Sequence, residues 1–241
     1  MNRSVRSSLR VLAESLLHML APHHCCICRQ AADASTVLER YVCRGCWENL
    51  PLAPSPARLY NELMTRLPED ELALSGLGAL FAFEESSPAM ELIYTVKYRG
   101  AYELGRALGH ALGAVLPHLV PETIDAVVPV PIHAARRRER GYNQAEAIAT
   151  GIAERCALPL YRNALRRRIA TPSQTQLTAQ QRWENVSDAF GAGTDAAAVR
   201  ARTVLVVDDV ITTGATLNSC AHALLALGAR RVFAVAVVKA L

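Results

Sequence analysis

The sequence predicts an α/β protein, a parallel sheet flanked by helices, with a small cysteine-rich module ahead of it. Three observations predict this class. Residues 203–207 and 232–238 are strongly apolar, strand-like runs, and residues 215–227 between them have a helical pattern. Strand, helix and strand joined by short connections imply parallel pairing in a doubly wound sheet. Upstream, Cys25-x-x-Cys28 and Cys43-x-x-Cys46 form two knuckles fourteen residues apart.

Residues 1–22 are basic and then apolar, with Val5, Leu9, Leu12, Leu16 and Leu20 at helical spacing. Glu14 and His18 interrupt the apolar run, so the segment reads as an amphipathic docking helix and not as a secretory signal. Residues 23–56 hold the cysteine module and a linker in which Pro51, Pro54 and Pro56 prevent regular structure. Residues 57–241 form the main domain. It opens with a strand at 77–83 and helices near 90–98 and 102–115. A buried strand at 124–130 leads into an arginine-rich loop. Asn143 caps the next helix, which runs to about Cys156 with Glu146 at the capping-box position. Residues 166–190 are polar without helical periodicity, as in a long loop or hairpin.

Composition narrows the class further. The 241 residues are 51% apolar and 20% charged, which suits one real core and one satellite module. Net charge is +4, and the excess is local: nine arginines and three acids lie between Arg136 and Arg168, enough to attract phosphate. The chain holds 24 Arg and 2 Lys, a bias that genome composition and a phosphate preference explain equally well. No apolar run reaches the roughly 20 residues a bilayer requires. Seven cysteines, five of them clustered, suit metal binding in a reducing, cytoplasmic setting better than a disulfide framework.

The most specific feature is Val204-Leu205-Val206-Val207-Asp208-Asp209-Val210-Ile211-Thr212-Thr213-Gly214-Ala215-Thr216. A buried strand ends in two carboxylates, a short hydroxyl and glycine loop follows, and a helix begins. Ligands bind at the carboxyl ends of parallel strands. Free amides at the helix start, with the hydroxyls of Thr212, Thr213 and Thr216, can wrap a phosphate, and Gly214 lets the backbone come close. Asp208 and Asp209 can accept hydrogen bonds from vicinal ribose hydroxyls beyond that phosphate. An acidic strand end with a threonine-rich cap explains any two of these elements but not all of them. A response-regulator receiver needs a later phosphoacceptor Asp, yet none of the 32 residues after Asp209 is acidic. A Walker-type loop needs Gly-Lys-Thr/Ser, which is missing.

This string resembles the signature of type I phosphoribosyltransferases. The resemblance implies a parallel sheet flanked by helices, a Mg²⁺–phosphoribosyl-pyrophosphate ligand held by residues Val210, Ile211, Thr212, Thr213, Gly214, Ala215 and Thr216, and transfer chemistry at the anomeric carbon beside the catalytic pair Asp208 and Asp209. A second strand end, Val128-Pro129-Val130-Pro131-Ile132-His133, leads into a loop carrying Arg136, Arg138, Arg140, Gly141, Asn143 and Gln144. Guanidinium groups there can pair with a pyrophosphate bidentately. A third element, with Thr171, Gln174 and Leu177 followed by Arg182 and Asn185, reads as a surface lid that shields the reacting carbon from water.

Together with Lys97–Gly100 and the cysteine pairs, these strings resemble the ComF family of bacterial competence proteins. That resemblance implies a role in DNA uptake, with single-stranded DNA and the uptake machinery at the cytoplasmic side of the membrane as candidate partners and a homodimer as a candidate assembly. Two departures stand out: no cysteine lies between Cys46 and Cys156, and Ala134 and Ala135 stand where basic residues are common. Two alternatives stay open, a non-catalytic regulator that senses phosphoribosyl pyrophosphate and a nucleobase salvage enzyme.

The knuckles Cys25, Cys28, Cys43 and Cys46 suit a structural Zn²⁺ in a closed tetrahedral site, with Cys26 as an alternative to Cys25. About thirty residues have too little apolar surface to fold alone, so the metal would supply much of the stability. Arg29, Arg40, Arg44 and Trp47 beside the knuckles have the chemistry to bind single-stranded nucleic acid, although ordinary surface and packing roles explain them as well.

Overall fold

Four parallel strands form the sheet in the order β1 (Gly76–Phe83), β6 (Arg231–Ala240), β5 (Thr203–Ile211) and β2 (Ala126–Pro129). The computed structural model describes residues 23–32, 35–67, 71–84, 87–167 and 189–241. The docking helix expected over 1–22 lies outside those residues. So do Thr171, Gln174, Leu177, Arg182 and Asn185 of the expected lid.

Helices cover both faces, so the strands read as unbroken apolar runs and not as alternating ones. Helix α2 (Pro56–Met64) packs on β1, and α7 (Ala215–Ala226) on β5 and β6. A short hairpin of β3 (Leu165–Arg167) and β4 (Phe190–Ala192) adjoins α7. Leu59, Leu63, Val206, Ala234, Leu217 and Phe190 share that core. Helix α3 (Ala89–Tyr98) packs on β1 and on α4 (Tyr102–Leu119), while α6 (Gln144–Cys156) packs on α4, β5 and β2. Residues alternate between faces along a strand, so Leu205 and Val207 are as fully buried as Val204 and Val206.

Several boundaries differ from the expected ones, each for a physical reason. Strand β5 does not stop at Val207. Pairing with β6 carries it through the acids to Ile211, opposite Lys239. The arginine-rich segment is a helix, α5 (Ala134–Arg140), capped by the His133 imidazole on the Ala135 amide at 3.2 Å. Helix α4 runs past residue 115 through Pro117 to Leu119. A proline there supplies no N–H to the carbonyl four residues back, and the Cys156 thiol donates to that Gly113 oxygen instead, at 3.5 Å. Asn143 does cap α6, accepting from Ala145 N at 3.2 Å. Glu146, however, turns its carboxylate to Arg137 (3.3 Å) and Arg162 (3.1 Å) and not back to the cap.

The chain divides into two units at Asn49–Leu50, ahead of the boundary expected after residue 56. The proline segment belongs to the second unit because it seals the edge of the sheet. Ala82 N–H donates to Pro51 O at 2.8 Å and Ala53 N–H to Leu80 O at 3.0 Å, so one bridge runs along the outer side of β1. Prolines are tolerated at such an edge, where their missing donors are not needed. Pro56 then opens α2 at its first turn behind the Ser55 cap. The other edge is treated alike: Val127 of β2 donates to Pro159 O (2.9 Å) and accepts from Tyr161 N (3.0 Å).

Helices α4 and α6 cross closely because glycines meet at the contact. A Cβ added at Gly151 would lie 2.0 Å from Arg106 O, and one at Gly109 2.0 Å from Ile148 O. Gly151→Ala therefore forces the helices apart and costs about 3 kcal/mol of stability, an overpacking penalty. Urea denaturation checks this; an unchanged midpoint would contradict the close crossing.

Candidate active site and metal centre

The carboxyl ends of the strands open into a cleft of about 660 Å³. Strand β5 contributes its floor: Asp208, Asp209 and Val210 line it, with Thr212 and Thr216 beyond. Gly214 makes the turn into α7 with φ +84°, where an L side chain is strained. A Cβ there would also meet Leu63 Cδ1 at 2.9 Å, so the loop lies tight against α2. The first-turn amides of a helix have no partner within the helix and favour an anion. One of them, Ala215 N–H, is taken by the Thr213 hydroxyl at 3.3 Å. The Ile211 side chain is buried in the core with Leu59 and Leu63, and Ala215 is buried too. What this stretch offers is mainly backbone.

The opposite wall comes from α5 and the start of α6. Arg136, Glu139 and Arg140 line the cleft, followed by Asn143, Gln144 and Ala145. Arg138 is exposed and is not among the lining residues, because helical spacing sets 136 and 140 on one side and 138 on the other. A loop would not have imposed that choice. Gly141 ends α5 at φ +81°, its N–H on Arg137 O at 2.9 Å. Asn143 also donates to Val130 O at 3.0 Å, which ties the helix start to the end of β2. Arg140 Nη1 donates to Gln144 Oε1 at 3.0 Å. Among the described residues, Arg140 Nε and Gln144 Nε2 are buried donors without a hydrogen-bond partner. Buried donors are seldom left so, and an anionic group in the cleft would satisfy them.

Electrostatics distinguish the two acids. Asp208 Oδ1 accepts the Asp209 amide at 2.8 Å, while Asp209 Oδ2 lies 2.8 Å from the Lys97 ammonium. Burial, then the neighbouring Asp209 charge, push the Asp208 carboxyl up to about 8. Arg167, on β3, also lines the cleft; burial, then the nearby Arg136, lower its pKa. Lys97, Arg167 and Tyr98 are lining residues that motif reading does not assign to the site. For Lys97 the signal was present: it is one of only two lysines in the chain.

The chain belongs to the phosphoribosyl transferase domain family, which matches residues 109–241. Its relatives are more particular. It is 35% identical over 108 residues to competence protein F of Haemophilus influenzae, covering 45% of this chain and 47% of that protein. It is 31% identical over 149 residues to the DNA utilization protein YhgH of Escherichia coli K12, covering 60% of this chain and 64% of that one. These likenesses bear out the ComF resemblance, and the match spans about half to just under two thirds of each relative's length. Among solved structures, the Bacillus subtilis glutamine phosphoribosylpyrophosphate amidotransferase complexed with ADP and GMP is similar at 23% identity and a TM-score of 0.37, over 54% of this chain and 26% of that one.

The first unit holds the candidate metal centre. The sulfurs of Cys25, Cys28, Cys43 and Cys46 all lie within 4.8 Å of one another, and Cys28 and Cys43 are 3.8 Å apart. A tetrahedron with Zn–S bonds of about 2.3 Å has its sulfurs roughly 3.8 Å apart, so the four thiols fit Zn²⁺. Cys26 is buried and outside the cluster. Helix α1 (Arg44–Glu48) starts directly after Cys43, which brings Cys46 round to the same side one turn later. Burial raises the Cys25 thiol, but amide hydrogen bonds from Cys28, Cys43 and Ile27 outweigh it and bring it down to about 6. Arg44, one of the cationic residues beside the knuckles, pairs with Glu48 at 2.7 Å.

Two outcomes are expected. Cys43→Ser should lose the bound zinc and unfold the first unit while Leu50–Leu241 keeps its structure; one equivalent of metal still bound by atomic emission would contradict the four-sulfur site. For Asp208, the folded value of about 8 stands above the ordinary 3.8, so folding takes up a proton between them. Stability therefore declines as pH rises from about 4 to about 8. Asp208→Asn should remove that decline and exceed the wild type more at pH 8 than at pH 5, as read by urea denaturation. Parallel pH profiles for the two proteins would contradict the shift.

Proposed function

We propose that the cleft binds Mg²⁺–phosphoribosyl pyrophosphate and that the chain transfers the phosphoribosyl group to an acceptor in support of DNA uptake at the cytoplasmic side of the membrane. One observation carries this reading: the acid pair, Thr212 and Thr216 and the arginine helix line a single cleft at the carboxyl ends of parallel strands. The 5′-phosphate would lie at Thr212–Thr216 against the α7 amides. The ribose hydroxyls would donate to Asp208 and Asp209. Arg136, Arg140 and Gln144 would hold the pyrophosphate, satisfying the buried donors Arg140 Nε and Gln144 Nε2. The bond from the anomeric carbon to pyrophosphate breaks with both electrons leaving on pyrophosphate, and the acceptor forms the new bond and gives up its proton. Groups placed beforehand around the developing charge supply most of such catalysis. Mg²⁺, when bound, would neutralise the leaving diphosphate.

The relatives' names refer to competence and DNA utilization and not to a transfer reaction. That favours a second reading in which the ligand only regulates contact with DNA or the uptake machinery. Pyrophosphate release across nucleobases, amines and single-stranded DNA separates the two: release with any acceptor supports the transferase, and tight binding without release supports the regulator. The experiment that tests both is calorimetry. Asp208→Asn with Asp209→Asn should weaken phosphoribosyl pyrophosphate by at least about 100-fold, the scale of losing several charge-assisted hydrogen bonds, with an unchanged circular dichroism spectrum. Undiminished affinity would refute the assignment.

A further inference from the structure

Lys97 is a cleft residue that the proposed function leaves unused. It stands in the last turn of α3, its Nζ 2.8 Å from Asp209 Oδ2, with the two side chains only 21% and 12% exposed. Its backbone is held from behind. Ile93 and Val96 are buried, and the Tyr142 hydroxyl, just past the end of α5, donates to Val96 O. One residue further on, the Tyr98 ring carries the Arg140 guanidinium at 5.5 Å. The segment that presents Lys97 to the acid pair is therefore also joined to the arginine helix.

Charge poses a problem at this site. The Asp209 carboxylate repels the phosphates of a polyanionic ligand, and a cation between such groups is the usual remedy. Here a cation is already part of the chain. Residue type fits the task as well: in a chain with 24 Arg and 2 Lys, this position holds lysine. An ammonium is a compact point charge on a flexible stem, able to leave one oxygen for another, whereas a guanidinium is a planar fork of fixed geometry.

We propose that Lys97 is the resident counter-cation of the acid pair: it occupies Asp209 where a divalent ion would otherwise bind, so that the cleft accepts a diphosphorylated sugar without a metal ion on that carboxylate. The identity of the sugar rests on the function proposed above; the competition between Lys97 and a divalent ion for Asp209 does not. Lys97 is thus a positioning residue that acts through Asp209.

The test uses Mn²⁺ alone as probe, titrated into the zinc-loaded full chain and followed by electron paramagnetic resonance. Lys97→Met should bind one Mn²⁺ at least about tenfold more tightly than the wild type, because removing a like charge from a site shielded from water favours the cation. Adding Asp209→Asn to that variant should abolish the gain, and Lys97→Arg should not show it. Calorimetry with phosphoribosyl pyrophosphate supplies a second readout. In chelator, Lys97→Met should bind at least about tenfold more weakly than the wild type, with most of the loss recovered on adding Mg²⁺. A lysine that merely braced the fold would weaken binding equally with and without the metal. Lys97→Gln stands in if the methionine variant does not fold. Equal Mn²⁺ affinity in the wild type and the neutral variant overturns the proposal, whatever the sugar ligand does. If the wild type binds no phosphoribosyl pyrophosphate, the proposed function falls, and the Mn²⁺ titration still decides the role of Lys97.

Discussion

The ladder between β5 and β6 is the constraint on which the rest depends. Thr203 to Ile211 pairs in parallel with Arg231 to Lys239, and β2 flanks β5 on its other side. A strand buried on both faces cannot shift register without moving its whole apolar set. That rigidity lets two acids sit at the end of a hydrophobic strand without being pulled into water, at the cost of a carboxyl that resists ionisation. It also places the start of α7 beside them, separated only by a tight turn at Gly214. The arginine helix reaches the same space because β2 ends at Pro129, opposite Val207 and one residue short of the acids, while β5 runs on to Ile211.

Much of this was legible in the sequence, and the parts that were not share a cause. All four sheet strands, helices α3, α4, α6 and α7 and the four-sulfur cluster follow from apolar period and residue spacing, which are local properties, whereas α2 was not read from the sequence. The acid pair and its loop were legible because a single stretch of chain carries them. The far wall was not. Whether residues 134–140 form a loop or a helix decides if Arg138 or Arg136 faces a ligand, and a run of charged residues has no apolar period to settle it. Lys97 and Arg167 reach the cleft from elements distant in sequence, so no spacing rule connects them to Asp208. The capping-box reading of Glu146 failed for the same reason, since Arg162 lies beyond the helix that Glu146 helps to start.

The two units solve the problem of stability in different ways. The larger one buries long apolar strands between two helical layers, and glycines at the α4–α6 crossing let that packing close to backbone contact. The smaller one has few buried apolar groups among its described residues: Cys25, Cys26, Ala32, Val42. The described core offsets little of the entropy of ordering these loops, and a metal held by the four converging sulfurs would supply the difference.

The sheet's borders carry a last consequence. A strand exposed at a border is a template on which another chain can continue the ladder. Here both outer strands are already engaged at their midpoints, β1 by Pro51–Ala53 and β2 by Pro159 and Tyr161. Imino acids punctuate both covering stretches and give an incoming strand fewer donors to match. Self-assembly by lengthening the sheet would first have to peel one of these strips away.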